Sequence, residues 1–159
     1  MNTNLAEPEA TLALLATTPR RITTACLDMD ELQLRSTPEP DAWSIHEILA
    51  HLRACADVWG AGIIAMLTQD HPTLRYVSPR TWIRKTHYLE LPFHASLEAF
   101  AQQRDELLKT LRALERDEWS RGATFTATTR GREQTILSYA QRIAQHENEH
   151  CEQIETRLR

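Results

Sequence analysis

Residues 44–69 read SIHEILAHLRACADVWGAGIIAMLTQ. Ser44 with Glu47 three residues on is a capping box: each side chain takes a backbone N–H that the first helical turn leaves unpaired. Trp43, just ahead of the cap, is placed to pack on Ile48 as a hydrophobic staple. Ile45, Ile48, Leu49, Leu52, Ala56, Trp59, Ile63 and Met66 then recur at the spacing of a helix with one buried face. The pattern fades near Gln69. A long helix with a broad apolar face needs partners of the same kind.

Three other stretches supply them. From Glu9 to Leu34, TLALLATTPRRITTACLDMDELQL carries an apolar face, and Pro19 is expected to kink or restart the helix. RSTPEPDAW ends it, through Pro38 and Pro40. A further helix is predicted over His94 to Glu115, through Leu97, Phe100, Leu107, Leu108, Leu111 and Leu114. The last is predicted from near Thr135 to the C-terminus. Between them lie two long connections. Asp70 to Pro92, with Pro72, Pro79 and Pro92, reads as a crossover holding short helical turns, and connections of that length are often functional. RDEWSRGATFTATTRGREQT is polar, with TFTAT prone to form a short extended segment. Four main helices, two long crossovers and no internal repeat predict an all-α protein, a four-helix bundle, in one domain over 1–159.

Composition narrows the function. The chain has 159 residues, 42% hydrophobic and 25% charged, with a formal charge of −4. That balance gives no basic stripe for nucleic acid, and RTWIRK is the one cationic cluster that hints at it. No segment reads as the ~18 consecutive apolar residues of a membrane span, so no membrane partner is expected. MNTNLAEPEA lacks the basic-then-apolar form of a signal peptide. Cys26, Cys55 and Cys151 are odd in number, far apart and form no CxxC, so free thiols and a cytoplasmic location are expected.

The chemistry is concentrated in RIAQHENEHCEQI, residues 142–154. His146 and His150 stand at i and i+4, so on a helix their imidazoles share a face and can meet one metal ion. At ~100° per residue, Ile136, Tyr139, Ala140, Ile143, Ile154 and Leu158 define the buried face. Glu147 falls near its centre, with the two histidines to one side. Buried polar groups of this kind are paired or coordinated, which leaves two readings open: a metal site, or a satisfied Glu–His pair without metal. His51, at the flank of the second helix, is the candidate third imidazole. Three protein ligands with an open position is the arrangement of catalytic zinc sites. Cys55, one turn beyond His51, is close enough to touch the site, although a small core residue is its plain reading. His46 is expected in solvent, and His71, His87 and His94 show no pairing.

Together, DAWSIHEILAHL and, far downstream, GREQTILSYAQRIAQHENEHCEQI resemble the DinB-like (YfiT-like) superfamily. The likeness extends to TTP in the first helix and SLEAFAQQRDELL in the third, so it spans nearly the whole chain. The resemblance implies an up-down-down-up four-helix bundle, a homodimer, and a divalent metal on three histidines, here His51, His146 and His150. It implies zinc, or alternatively nickel, iron or manganese, and a small-molecule substrate rather than nucleic acid. Characterised relatives are thiol-dependent transferases and isomerases using bacillithiol, mycothiol or glutathione, while many members have no assigned reaction. The expectation is therefore a metal-dependent enzyme, a transferase using a low-molecular-weight thiol or a hydrolase. Glu147 would orient a ligand or act as general base; its plain alternative is a structural partner to an Arg. The competing expectation is a non-catalytic helical module acting through its dimer surface.

Overall fold

Ser44 caps the long helix as its sequence predicts: its Oγ accepts from the Glu47 N–H at 3.1 Å, and the Glu47 carboxylate accepts from the Ser44 N–H at 2.7 Å. The computed structural model describes residues 6–129 and 131–158. The first five residues, on which part of the leader argument rests, lie outside the described residues. In chain order the elements are α1 (Ala6–Cys26), α2 (Glu31–Arg35), α3 (Ile45–Thr68), β1 (Thr73–Arg75), α4 (Pro79–Trp82), α5 (Phe93–Arg112), β2 (Gly122–Thr126), β3 (Glu133–Thr135) and α6 (Ile136–Arg157). Short 3-10 turns stand at Ile83–Lys85 and Arg116–Ser120.

α1, α3, α5 and α6 form the bundle, with α1 and α3 each packed on both α5 and α6. Side-chain contacts give the directions. Arg53 reaches Ser96 and Asp57 reaches Gln103, so α3 and α5 run parallel. His51 meets His146 and Gly62 abuts Tyr139, so α3 and α6 are antiparallel. Arg104 reaches the Leu15 carbonyl, while Ile22, Cys26 and Phe93 share one apolar cluster, so α1 runs against α5. The order is up-down-down-up. Because α3 and α5 are parallel, the chain must travel the length of the bundle between them, which is why the 70–92 crossover is long.

The predicted first helix is two helices. α1 continues through Pro19 and ends at Cys26, and a new capping box, Asp30 with Gln33, starts α2. Proline has no N–H to offer the carbonyl four residues earlier, which is that of Leu15. That carbonyl is instead met by the Arg104 guanidinium at 3.2 Å.

Both crossovers carry strands. β1 lies parallel to β2, with Leu74 opposite Phe125, and β2 pairs antiparallel with β3, with Gly122 opposite Thr135. The 70–92 segment is fixed to the bundle. Asp57 of α3 accepts from Trp82 Nε1 at 2.9 Å and from the Tyr88 hydroxyl at 2.6 Å, and it also accepts from Gln103 Nε2 at 2.8 Å. The Arg53 guanidinium lies 3.8 Å from the Tyr88 ring centroid. The segment forms a pinned wall.

Two apolar clusters fill the bundle, one around Leu15, Trp59, Ile63, Leu111 and Tyr139 and one around Ile22, Ile48, Leu52, Phe100 and Ile154. Two sequence expectations need correction here. Leu158 lies beyond the end of α6 and is 43% exposed, so it leaves the buried face. α3 is, by length and composition, apolar enough to cross a membrane; its alanines and glycines interrupt the run of large apolar residues, and much of it is buried against α5 and α6.

Candidate metal centre

The capping box at Ser44 fixes where α3 begins and that at Thr135 with Ser138 fixes where α6 begins, while their buried apolar faces set how each helix is turned. The antiparallel contact of these two helices then brings His51 against His146 and His150. His51 Nε2 lies 3.2 Å from His146 Nε2, and His150 Nε2 lies 3.2 Å from the same atom. A hydrogen bond between two ring nitrogens at this distance needs one N–H and one lone pair, so in each 3.2 Å contact at least one Nε2 presents a lone pair to the other. A tetrahedral zinc ion with bonds of about 2.0–2.1 Å would hold its nitrogens ~3.3 Å apart. The donor set fits a divalent ion.

The surroundings favour neutral rings. His51 is 9% exposed. Burial, and then the neighbouring His150, lowers its pKa from 6.5 to about 4. For His146, burial followed by the other two imidazoles lowers it to about 3. Neutral imidazole is the form that ligates. The His150 Nδ1–H donates to Gln153 Oε1 at 3.0 Å, which leaves Nε2 as the lone-pair nitrogen. His146 Nδ1 is buried with no hydrogen-bond partner, so Nε2 is the nitrogen through which this ring can be satisfied.

Aromatic rings and cations frame the cluster. The Trp43 ring centroid is 4.9 Å from that of His51 and 6.3 Å from that of His150, and Trp59 stands edge-on to His146 at 5.1 Å. Trp43 also packs on the apolar cluster containing Ile48, as the staple requires. Arg80 lies 5.3 Å from the Trp43 ring and Arg142 lies 5.1 Å from the Trp59 ring. His146 opens on a shallow polar depression with Arg142, Gln145 and Glu149. About two turns along α3 lies an apolar cavity of about 260 Å³, walled by Val58, Gly62, Leu74, Trp82, Phe125 and Tyr139.

Other residues fall elsewhere. Glu147 is buried at 1% exposure, and its carboxylate pairs with the Arg104 guanidinium through both oxygens. That is the structural pairing with an Arg, and it engages both carboxylate oxygens. Arg104 was not foreseen, although Leu97, Phe100, Arg104, Leu108 and Leu111 form one stripe and mark it as buried. His46, expected in solvent, is 2% exposed, and its Nε2–H donates to the Leu89 carbonyl at 2.9 Å. The crossover folds back over the first turn of α3 there, which no helical periodicity reports. His71 bonds Thr124 and Glu133, His87 bonds Glu90, and His94 lies against Phe93. Cys55 touches the centre: its Sγ is 3.5 Å from His51 Nε2.

Helical bundles build metal sites from side chains on facing helices, and the imidazoles of α3 and α6 meet in that way. The chain belongs to the DinB superfamily, whose family model matches residues 14–154. A protein of Halalkalibacterium halodurans named "putative metal-dependent hydrolase" is 29% identical over 105 residues, covering 62% of this chain and 59% of that relative's length. YfiT from Bacillus subtilis, described as a probable metal-dependent hydrolase with an unusual four-helix bundle topology, superposes with a TM-score of 0.84 at 17% identity. That match covers 98% of this chain and 87% of YfiT.

Proposed function

We propose that this protein is a divalent-metal-dependent enzyme in which His51, His146 and His150 hold the ion through Nε2. The observation that carries the reading is the pair of 3.2 Å Nε2–Nε2 separations at His146, one to His51 across the α3–α6 interface and one to His150 on α6 itself. Such an ion lowers the pKa of a water or thiol into the neutral range and polarises a substrate carbonyl. Imidazole donors suit zinc, nickel and iron alike, and zinc is the proposed occupant.

The chain's own groups define the rest. Gln153 fixes the ring of His150. Trp43 and Trp59 shield the imidazoles from water on two sides. Arg80 and Arg142 place positive charge around the site, which favours an anionic nucleophile or an anionic substrate group. The apolar cavity beside Tyr139 takes the hydrophobic arm of a small-molecule substrate.

Two reactions use this arrangement: hydrolysis, in keeping with the description of the relatives, and transfer to a low-molecular-weight thiol, for which the flanking arginines would hold a thiolate. One screen separates them. Zinc-loaded protein is assayed on a panel of esters, amides and thiol-reactive electrophiles, with and without glutathione, bacillithiol or mycothiol. Turnover without thiol assigns hydrolysis and turnover only with thiol assigns transfer. No turnover of either kind, or turnover preserved in His146→Ala, would contradict the proposal.

A further inference from the structure

The three-histidine description leaves Cys55 unexplained. It stands one helical turn after His51, so α3 presents an i, i+4 pair, His51 and Cys55, to the i, i+4 pair His146 and His150 on α6. Two helices each turn two donors inward across one interface. The sulfur lies nearer His51 Nε2, at 3.5 Å, than Nδ1, at 4.0 Å. It therefore faces the same nitrogen that meets His146. The donor atoms of His51, Cys55 and His146 all lie within 4.8 Å of one another. A tetrahedral zinc ion with a Zn–S bond of about 2.3 Å and Zn–N of about 2.0–2.1 Å would separate sulfur from nitrogen by ~3.6 Å. The observed Cys55–His51 separation fits such an edge as well as the two imidazole separations fit theirs.

The environment separates Cys55 from the other cysteines. Cys26 and Cys151 are equally buried and pack in the apolar cluster around Ile22 and Phe93, whereas Cys55 sits in the other apolar cluster, beside Trp59 and Ile63, with its sulfur against the His51 imidazole. Cys55 is 1% exposed and lines the inner side of the imidazole cluster, away from the polar depression beside His146.

We propose that Cys55 is a fourth protein donor to the metal, so that the centre selects a thiolate-accepting ion such as zinc over manganese or magnesium. This rests on the three-histidine reading above. On binding, the Sγ–H bond breaks, the sulfur lone pair forms the bond to the ion, and the proton leaves to solvent; no oxidant or reductant takes part. Soft thiolate donors favour zinc, whereas oxygen donors suit manganese and magnesium. Zinc sites can become five-coordinate during reaction, so a fourth protein donor leaves room for a nucleophile.

Cobalt(II) tests the proposal without any activity assay. Metal-free wild type, Cys55→Ala and Cys55→Ser are each loaded with cobalt, with circular dichroism to verify folding and elemental analysis to give the stoichiometry. The wild type is expected to show the intense near-ultraviolet sulfur-to-cobalt charge-transfer band, and both variants are expected to lose it while retaining the metal. Zinc affinity in Cys55→Ala, measured by chelator competition, is expected to fall at least about tenfold, the scale on which even outer partners of a metal are felt. Cobalt bound by the wild type without the band, or a band that survives in both variants, overturns the role of Cys55 alone. A wild type that takes up no cobalt overturns the histidine reading together with it, and the stoichiometry tells the two failures apart. A wild type that binds cobalt without the band overturns the proposal whether or not the variants fold, and two variants at the position give two chances of a folded comparison.

Discussion

Arg104 and Glu147 face one another fork to fork at the middle of the bundle, each side chain 1% exposed. Arg104 also reaches the Leu15 carbonyl that Pro19 leaves without a helical donor. One guanidinium thereby ties α5 to α6 and to α1. Removing either charge strands the other in an apolar interior, which typically costs about 3–5 kcal/mol, whereas replacing both with apolar side chains often costs nothing. Urea unfolding of Arg104→Met and Glu147→Leu should show losses of that size. The double variant should recover most of it. Single losses below about 1 kcal/mol would show that the pair is not buried as described.

Gly62 is fixed by the ring of Tyr139. A Cβ built there would lie 2.9 Å from Tyr139 Cε1, and Tyr139 is stacked on Phe125 with centroids 5.0 Å apart. Gly62→Ala should therefore destabilise the protein by about 1–3 kcal/mol, as overpacking does, despite alanine's better helix propensity. Thermal unfolding decides the sign. A raised midpoint would mean that the ring yields freely.

Asp57 pins the crossover through Trp82 and Tyr88. In Asp57→Ala both donors lose their acceptor. Hydrogen exchange over residues 79–88 should quicken while the amides of α5 and α6 stay protected. Unchanged exchange in the crossover would show that packing alone holds it.

The buried imidazoles make the metal-free protein sensitive to acid. In the unfolded chain they take up protons as the pH falls through about 6.5. In the fold His51 and His146 do so only at about 4 and about 3. Between these limits the unfolded state binds more protons, so stability is full above about pH 6.5 and is lost as the pH falls. The thermal midpoint of the apoprotein should drop from pH 7 to pH 4, and less steeply in His146→Gln. An equal slope in the variant would remove His146 from the effect.

Much of this was legible in the chain. The capping box at Ser44 and the stripes beginning at Ile45, Leu97 and Ile136 gave three bundle helices within a few residues, because local hydrogen bonding and periodicity determine them. Phase placed Glu147 in the core and His51, His146 and His150 at helix flanks. What phase cannot report is the partner across an interface. Arg104 lay on an apolar stripe in plain view, yet its pairing with Glu147 depends on how α5 meets α6. His46 is buried by residues of the crossover some forty positions later, a tertiary contact without local signal. The break between α1 and α2 is marked by the Asp30–Gln33 capping box, whereas the sequence expectation put the interruption at Pro19, through which α1 continues.

The most direct test is elemental analysis of purified, zinc-reconstituted protein, with wild type beside His51→Ala, His146→Ala, His150→Ala and His46→Ala. About one ion per chain is expected in the wild type and in His46→Ala, whose ring bonds the Leu89 carbonyl away from the cluster, with loss in the other three. A wild type that holds no metal after reconstitution, or retention of a full complement when His146 is removed, would contradict a metal centre built on His51, His146 and His150.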